Sequence, residues 1–404
     1  MLSEPWKRNL AAIWIAQLVS SMAFSFILPF IPLYIQALGV TSTVEAAQWA
    51  GAVSAATALS MMFAQPIWGG IADRVGRKPM VIRSMLGGAI IIGAMGFAQS
   101  PGQLLILRFI QGAVTGVVAA ATALVATSTP RPRLGFALGM NQVAMFLGTS
   151  VGPLVGGIIS DTYGYPMAFY VAGATLFIGG IIVIAFVREQ FTPPSPAAKG
   201  VGIVAGSRSL LAMPVFPLLI SVIFLIQLGG VIVGPILSLF IGELAGGGNV
   251  ATVAGTVLAA TGAVSAISAI GFGRLSDRIG HTVILPVCLF GAAVSYFPQA
   301  YVHGVWELLV LRMLLGFFLG GLMPSANALV AETVPLERRG VAFGLTAGAS
   351  SLANLVGPLS GAGIATSWGM RAVFLATGVL FTAAGIWVGV GLRRAGLTSR
   401  SASR

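Results

Sequence analysis

The feature that most limits this chain is a series of apolar stretches, each about 20 residues or longer, separated only by short polar or Gly/Pro-rich turns. A stretch of that length matches the hydrocarbon thickness of a bilayer. There, backbone polar groups must be satisfied within the segment, which for isolated runs means α-helix. Twelve spans follow, at residues 10–37, 47–71, 80–98, 103–128, 134–160, 166–187, 213–241, 250–272, 282–300, 306–331, 339–364 and 370–392. Composition agrees, since 57% of the 404 residues are hydrophobic and 8% charged, against roughly 25% charged in soluble domains. The opening MLSEPWKRNL looks like the charged region of a signal peptide. The apolar run behind it reaches from about Leu10 to Ile35, longer than the roughly 7–15 residues of a signal core, and is read as the first span.

Charge sets the expected orientation. With the N-terminus cytoplasmic, alternation of the spans places 19 of the 22 Lys and Arg residues inside, the exceptions being Arg108, Arg312 and Arg371. That bias follows the positive-inside rule and puts both termini in the cytoplasm. The net charge of +12 is distributed as short clusters between spans rather than as a patch interleaved with aromatics, so nucleic acid is not an expected partner. Cys288 is the single cysteine, which excludes an internal disulfide and a cysteine metal cluster. His281 and His303 are expected in loops on opposite sides of the membrane, so no metal site and no cofactor is expected. No nucleophile with its base and no intramembrane acid pair is visible, which argues against an enzyme.

The chain repeats itself. GGIADRVG at 69 returns as GRLSDRIG at 273, and LLILRFIQGAVTG at 104 returns as LLVLRMLLGFFLG at 308, both at an offset of 204 residues. Gly152-Pro153 pairs with Gly357-Pro358, and Gly164 and Phe169 pair with Gly369 and Phe374, at an offset of 205. Between the sixth and seventh spans, REQFTPPSPAAKGVGIVAGSRSL (188–210) gathers Pro193, Pro194 and Pro196 ahead of a glycine-rich stretch and reads as a linker. The expected organisation is an all-α membrane protein of two pseudo-symmetric six-helix bundles, residues 1–187 and 213–404, joined by a cytoplasmic linker at 188–212.

These residues carry a family resemblance. GGIADRVGRKPM (69–80) resembles motif A of the major facilitator superfamily, LRFIQG (107–112) its motif B, and GTSVGPLVGG (148–157) its motif C, the antiporter signature. LPFIPLYI (28–35) is similar to the first-helix motif of the twelve-span drug:proton antiporters, and WKRNL near the start with SLFIGELAG near 238 is similar to one bacterial branch of them. The resemblance covers essentially the whole chain. It implies a monomeric, multi-pass transporter of the bacterial cytoplasmic membrane that works on a small-molecule substrate among membrane lipids, with protons as coupling ion.

Each motif has a physical content besides. In motif A, Gly69, Asp73, Arg74, Gly76, Arg77 and Lys78 occupy a tight cytoplasmic turn. Gly76 permits a backbone conformation closed to other residues, and Asp73 can accept hydrogen bonds from a helix N-terminus or nearby arginines. The resemblance implies that this turn latches the outward-facing state; a solvated turn that only anchors topology is the plainer alternative. Arg108 lies roughly 8 Å into the hydrocarbon, counting about 1.5 Å per residue from Gln103. An unpaired charge at mid-depth costs about 2.5 kcal/mol or more, so Arg108 should face a cavity or a partner, unless it snorkels to the interface. Motif B links it by resemblance to proton transfer, and Arg312 is its repeat partner. In motif C, Gly148, Gly152, Pro153, Gly156 and Gly157 imply close helix contact and a kink, which the resemblance assigns to the interface of the fifth and eleventh spans.

None of the ten acidic residues falls at a helix centre, a departure from the related drug antiporters. LVATSTP (124–130) also lacks the acid that often completes a relay with motif A, whereas Glu332 is expected near Arg274 and Arg278. Either coupling uses Arg108 with a carboxylate nearer a helix end, such as Glu332, Glu243 or Asp161, or it does not follow the conventional scheme. A site without a counter-charge disfavours cationic cargo. The cavity is expected to be lined by Gln17, Phe24, Asn141, Gln142, Met145, Gln227, Asn327 and Asn354, each of which could equally be helix-helix glue. The expected function is proton-coupled efflux of lipophilic small molecules by alternating access. The alternatives are export or facilitated movement of a specific metabolite or lipid, and a membrane sensor that transports nothing.

Overall fold

The computed structural model describes residues 5–130, 133–189, 191, 208–213, 215–335 and 338–394, apart from the side chain of Asp73. Among them the secondary structure is helical, with no strand. The first span is Pro5–Ile27, a 3-10 turn at Leu28–Phe30 and Ile31–Ala37; the second is Thr43–Val75 and the third Lys78–Met95. The fourth is made of Pro101–Val114 and Val117–Ser128, followed by Leu134–Tyr163 and Tyr165–Phe186. The seventh is made of Phe216–Val231 and Gly234–Ala245, followed by Val250–Ile279, His281–Gln299, Val305–Thr333, Arg339–Trp368 and Met370–Arg394. Eleven of these spans are long and apolar enough to cross a membrane. The remaining one, Arg339–Trp368, is 30 residues long but rich in Gly, Ala and Ser, residues that favour close helix packing over contact with lipid.

Local chemistry explains where helices begin and end. Ser42 Oγ accepts a hydrogen bond from the N–H of Glu45, and Ser100 Oγ from that of Gln103, each capping the helix that follows. Gly76, Gly164, Gly280 and Gly369 stop the second, fifth, eighth and eleventh spans at φ of +98°, +87°, +94° and +84°. These are the equivalent turns of the two repeats, so the sequence repeat is also a repeat of backbone conformation.

The chain forms two compact units, residues 1–196 with 246–259 and residues 197–245 with 260–404. In the first, span one packs against spans five and six, three against six, and two against four; in the second, span seven packs against eleven, and nine against ten and twelve. Small residues make the approaches close. A methyl group placed on Gly148 would fall 2.6 Å from the carbonyl oxygen of Leu18, one on Gly152 2.7 Å from that of Met22, and one on Gly156 2.7 Å from the Cα of Phe26. The second unit uses the repeat-equivalent device, with Gly357 and Gly361 against Leu228, Val231 and Ile232. Large apolar side chains such as Ile90, Ile106, Phe177, Val294 and Ile386 remain exposed and form the lipid-facing surface.

The expected single fourth span is interrupted. Thr115 leaves the helix at φ −86°, ψ 176°, and Gly116 follows at φ +146° before helix resumes at Val117. The Thr115 hydroxyl bonds the carbonyl of Gln111, and nothing lies within 4 Å of where a Gly116 side chain would start. Its repeat partner Gly320 sits instead against Ser265 and Ser268 in an unbroken helix. Close packing at Gly320 accompanies an unbroken tenth span, and open space at Gly116 accompanies the break in the fourth.

Candidate transport site and gates

The interior of the first unit holds polar groups with unspent hydrogen-bonding capacity. Arg108 is 4% exposed, and its Nε and Nη2 have no hydrogen-bond partner. One turn on, the buried Gln111 has an unpartnered Oε1. Gln17 on span one is 0% exposed; it donates to Ser21 Oγ at 3.0 Å while its Oε1 stays unpartnered. Asn141 on span five donates to Thr122 Oγ1 on span four at 3.2 Å, again with a free Oδ1. Phe24 lines up with Gly88 on span three, Met145 is half-buried and Gln142 is exposed. Buried polar atoms without partners are costly, and the second unit holds them too, on Ser238, Gln299 and Arg312, whose Nε and Nη2 are unpartnered like those of Arg108.

In the second unit the repeat partner of Arg108 is enclosed differently. Arg312 is 6% exposed, and its guanidinium lies 5.8 Å from the ring centres of both Tyr296 and Phe374. Aromatic faces carry part of its charge; Arg108 has no such ring. Gln227 on span seven donates to Asn354 Oδ1 on span eleven at 3.0 Å, bringing together two of the expected lining residues, while Asn327 is exposed.

Motif A is a turn held by its neighbours. The N–H groups of Arg77 and Lys78 donate to Oε1 and Oε2 of Glu189 at 2.8 and 2.7 Å, and Lys78 Nζ donates to the carbonyl of Ile184 at 3.1 Å. A methyl group on Gly76 would fall 2.8 Å from Glu189 Oε2, so this glycine is required both by its positive φ and by the carboxylate beside it. Gly69 has open space around it and Arg74 is exposed. Upstream, the indole N–H of Trp68 bonds the carbonyl of Ala113 at 2.7 Å, and the Arg83 guanidinium lies 3.5 Å from the Trp68 ring centre.

Motif C is closely packed within the first unit. The neighbours of Gly148, Gly152 and Gly156 are on span one. Gly157 closes on Ala251 and Thr252, and Gly255 on the backbone of Pro153, all inside the first unit. Asp161, at the end of the same helix, accepts from the N–H groups of Ala251 and Thr252 at 3.3 and 2.7 Å. Both oxygens of this coupling candidate are thus spent capping the start of span eight. Glu332 faces His281 Nε2 at 3.6 Å, with Asp277 at 3.9 Å from the same nitrogen. Sequence reasoning placed His281 in a loop; it is the first residue of the ninth span. Glu243 is exposed.

Glu189 and His281 were missed as functional candidates. Aligning the two repeats residue by residue contains the signal: Arg77 corresponds to His281, and Arg188-Glu189 to Arg393-Arg394. These two repeat-equivalent turns therefore differ in the side chains available to hold them.

A twelve-span all-helical fold with repeated glycine seams, motif turns and buried unpaired polar groups defines a secondary transporter. The model of the Major Facilitator Superfamily matches residues 13–298 and again 219–403, and the chain belongs to that superfamily, a multi-pass membrane transport protein and not an enzyme. It is similar to the multidrug resistance protein MdtG of Enterobacter lignolyticus (strain SCF1), with 38% identity over 399 residues covering 98% of this chain and 94% of the relative. MdtG of Salmonella arizonae is likewise 38% identical over 396 residues, 96% of this chain and 97% of that one. In fold it resembles the solved nucleoside transporter NupG (TM-score 0.79, 12% identity, covering 94% and 99% of the two chains). A bacterial homologue of the human lysosomal transporter Spinster matches at TM-score 0.78 and 17% identity, covering 97% and 98%.

Proposed function

We propose that the protein is a proton-coupled exporter of lipophilic small molecules, of the multidrug type, working by alternating access in the bacterial cytoplasmic membrane with both termini inside. In this reading residues 1–187 and 213–404 are the two helical bundles, 188–212 is the linker, and a monomer surrounded by lipid is the working unit. Relatives named multidrug resistance proteins, 38% identical along nearly the whole length, support the assignment to drug efflux. The observation that carries the chemistry is the interior of the first unit. Its buried polar atoms without partners are amide oxygens of Gln17, Gln111 and Asn141, the Trp14 indole N–H and N–H groups of the Arg83 and Arg108 guanidiniums. Cargo finds there both acceptor oxygens and the guanidinium and indole N–H donors, and the charge among these atoms is positive, which favours neutral or anionic cargo over a lipophilic cation.

Arg108 is the coupling residue of this scheme, because anionic cargo can pair with its unpartnered N–H groups while the proton is carried by a carboxylate, whose charge and the guanidinium's influence each other. Its partner in this reading is Asp161, which also caps span eight, or one of the exposed carboxylates Glu332 and Glu243. Motif A serves as the latch, for which Asp73→Asn should abolish transport at unchanged expression. The reading is tested in proteoliposomes with a lipophilic anionic dye and a lipophilic cationic dye, each with and without an imposed pH gradient. Gradient-dependent movement of the anionic dye is expected; movement of neither dye overturns the reading.

A further inference from the structure

We propose that Glu189 is a positioning residue for gating: it clasps the motif A turn to the chain leaving span six, so that the turn and residues 187–189 move as one piece. The proposal rests on the transport reading above and adds a residue that none of the motifs contains. Its basis is geometric. The first N–H groups of a helix have no partner inside the helix, and at the start of span three those of Arg77 and Lys78 are taken by the two oxygens of Glu189, at 2.8 and 2.7 Å. A carboxylate at a helix N-terminus is favoured by charge as well as by hydrogen bonding. Lys78 Nζ returns the contact by bonding the Ile184 carbonyl in the last turn of span six, at 3.1 Å.

The same joint is fixed from the other side. Asn9 on span one donates to the Arg188 carbonyl at 2.7 Å and accepts from the Arg188 N–H at 2.9 Å. The Arg8 guanidinium lies 5.8 Å from the Phe186 ring centre. Phe191 approaches within 3.3 Å of where a Gly76 side chain would start, so the clasp closes over the glycine. Spans one, three and six and the first residues of the linker therefore meet at one joint, around Arg188 and Glu189. Any motion of the motif A turn must either carry residues 187–189 with it or break both Glu189 bonds. The second repeat has Arg394 in place of Glu189 and His281 in place of Arg77, so it cannot form the same clasp.

The experiment compares wild type, Glu189→Gln and Glu189→Ala as full chains, with two readouts. Hydrogen exchange at the Arg77 and Lys78 amides should be about tenfold faster in Glu189→Ala, with Glu189→Gln in between because one neutral acceptor remains. In the dye assay the maximal rate of Glu189→Ala should fall about fivefold or more while KM stays within about twofold, the signature of a slowed conformational step. Unchanged exchange overturns the clasp, and faster exchange with an unchanged maximal rate overturns its gating role. Since Glu189→Gln keeps the side-chain volume, it carries the comparison should Glu189→Ala fail to fold. Wild-type protein that moves neither dye refutes the export reading and leaves the exchange arm to decide the clasp.

Discussion

Substituting Gly361 by alanine should separate a packing glycine from a merely permissive one. On the eleventh span, a methyl group at Gly361 would fall 2.9 Å from the carbonyl carbon of Ile232 on span seven and closer still to its oxygen. The obstacle is backbone, so no rotamer change relieves it and the two helices must separate. Overpacking of that kind costs about 1–3 kcal/mol, here toward the upper end, and alanine returns about 1 kcal/mol through its helix propensity. The net destabilisation is about 2 kcal/mol, or a melting temperature lower by about 4–8 °C for a unit of this size. Gly363, two residues on, has nothing within 4 Å. Gly363→Ala should leave stability unchanged or raise it by up to about 1 kcal/mol. The protein supplies its own reporter, because Cys288 is the single cysteine, is fully buried and lies in the same unit. A thiol-reactive fluorophore that lights up on unfolding gives the melting curve. A Gly361→Ala protein that melts at or above Gly363→Ala would refute the reasoning.

Three further outcomes are expected. Asp161→Ala removes the acceptor of two N–H groups at the start of span eight, which should destabilise the protein by about 1–2 kcal/mol and speed exchange at Ala251 and Thr252; exchange unchanged there would refute the capping role. A double-mutant cycle on Gln227 and Asn354, joined at 3.0 Å, should give a coupling near 0.6 kcal/mol, measured by chemical denaturation in detergent, and zero coupling would place the two side chains apart. Arg108→Ala should remove the pH dependence of transport and keep downhill exchange, read in the same proteoliposomes; loss of folding instead would make Arg108 structural.

Much of the fold was legible because a bilayer leaves the chain few choices. Length and apolarity mark a span, and a near-literal repeat marks the recurrence of the same turns, properties that are local and additive along the sequence. The site was legible only in part. Arg108 stood out because a charge inside an apolar run is anomalous whatever surrounds it. Glu189 did not, because a carboxylate one residue into a linker looks like any solvated charge until the turn at Gly76 is seen against it. His281 was hidden for the same reason: its meaning lies in Asp277 and Glu332, and Glu332 lies on a different helix.

By itself, then, the sequence determined the number and kind of elements, the turn glycines and the anomalous charge. The tertiary structure alone decided which glycine meets which backbone, that motif C closes on spans one and eight, that the fourth span breaks at Thr115–Gly116, and that Asp161 and Glu189 are spent as helix caps. The physical reason is reach. Hydropathy acts over a segment and can be summed along the chain, whereas a hydrogen bond or a helix contact acts over about 3–4 Å between residues far apart in sequence, and no summation along the chain contains that distance.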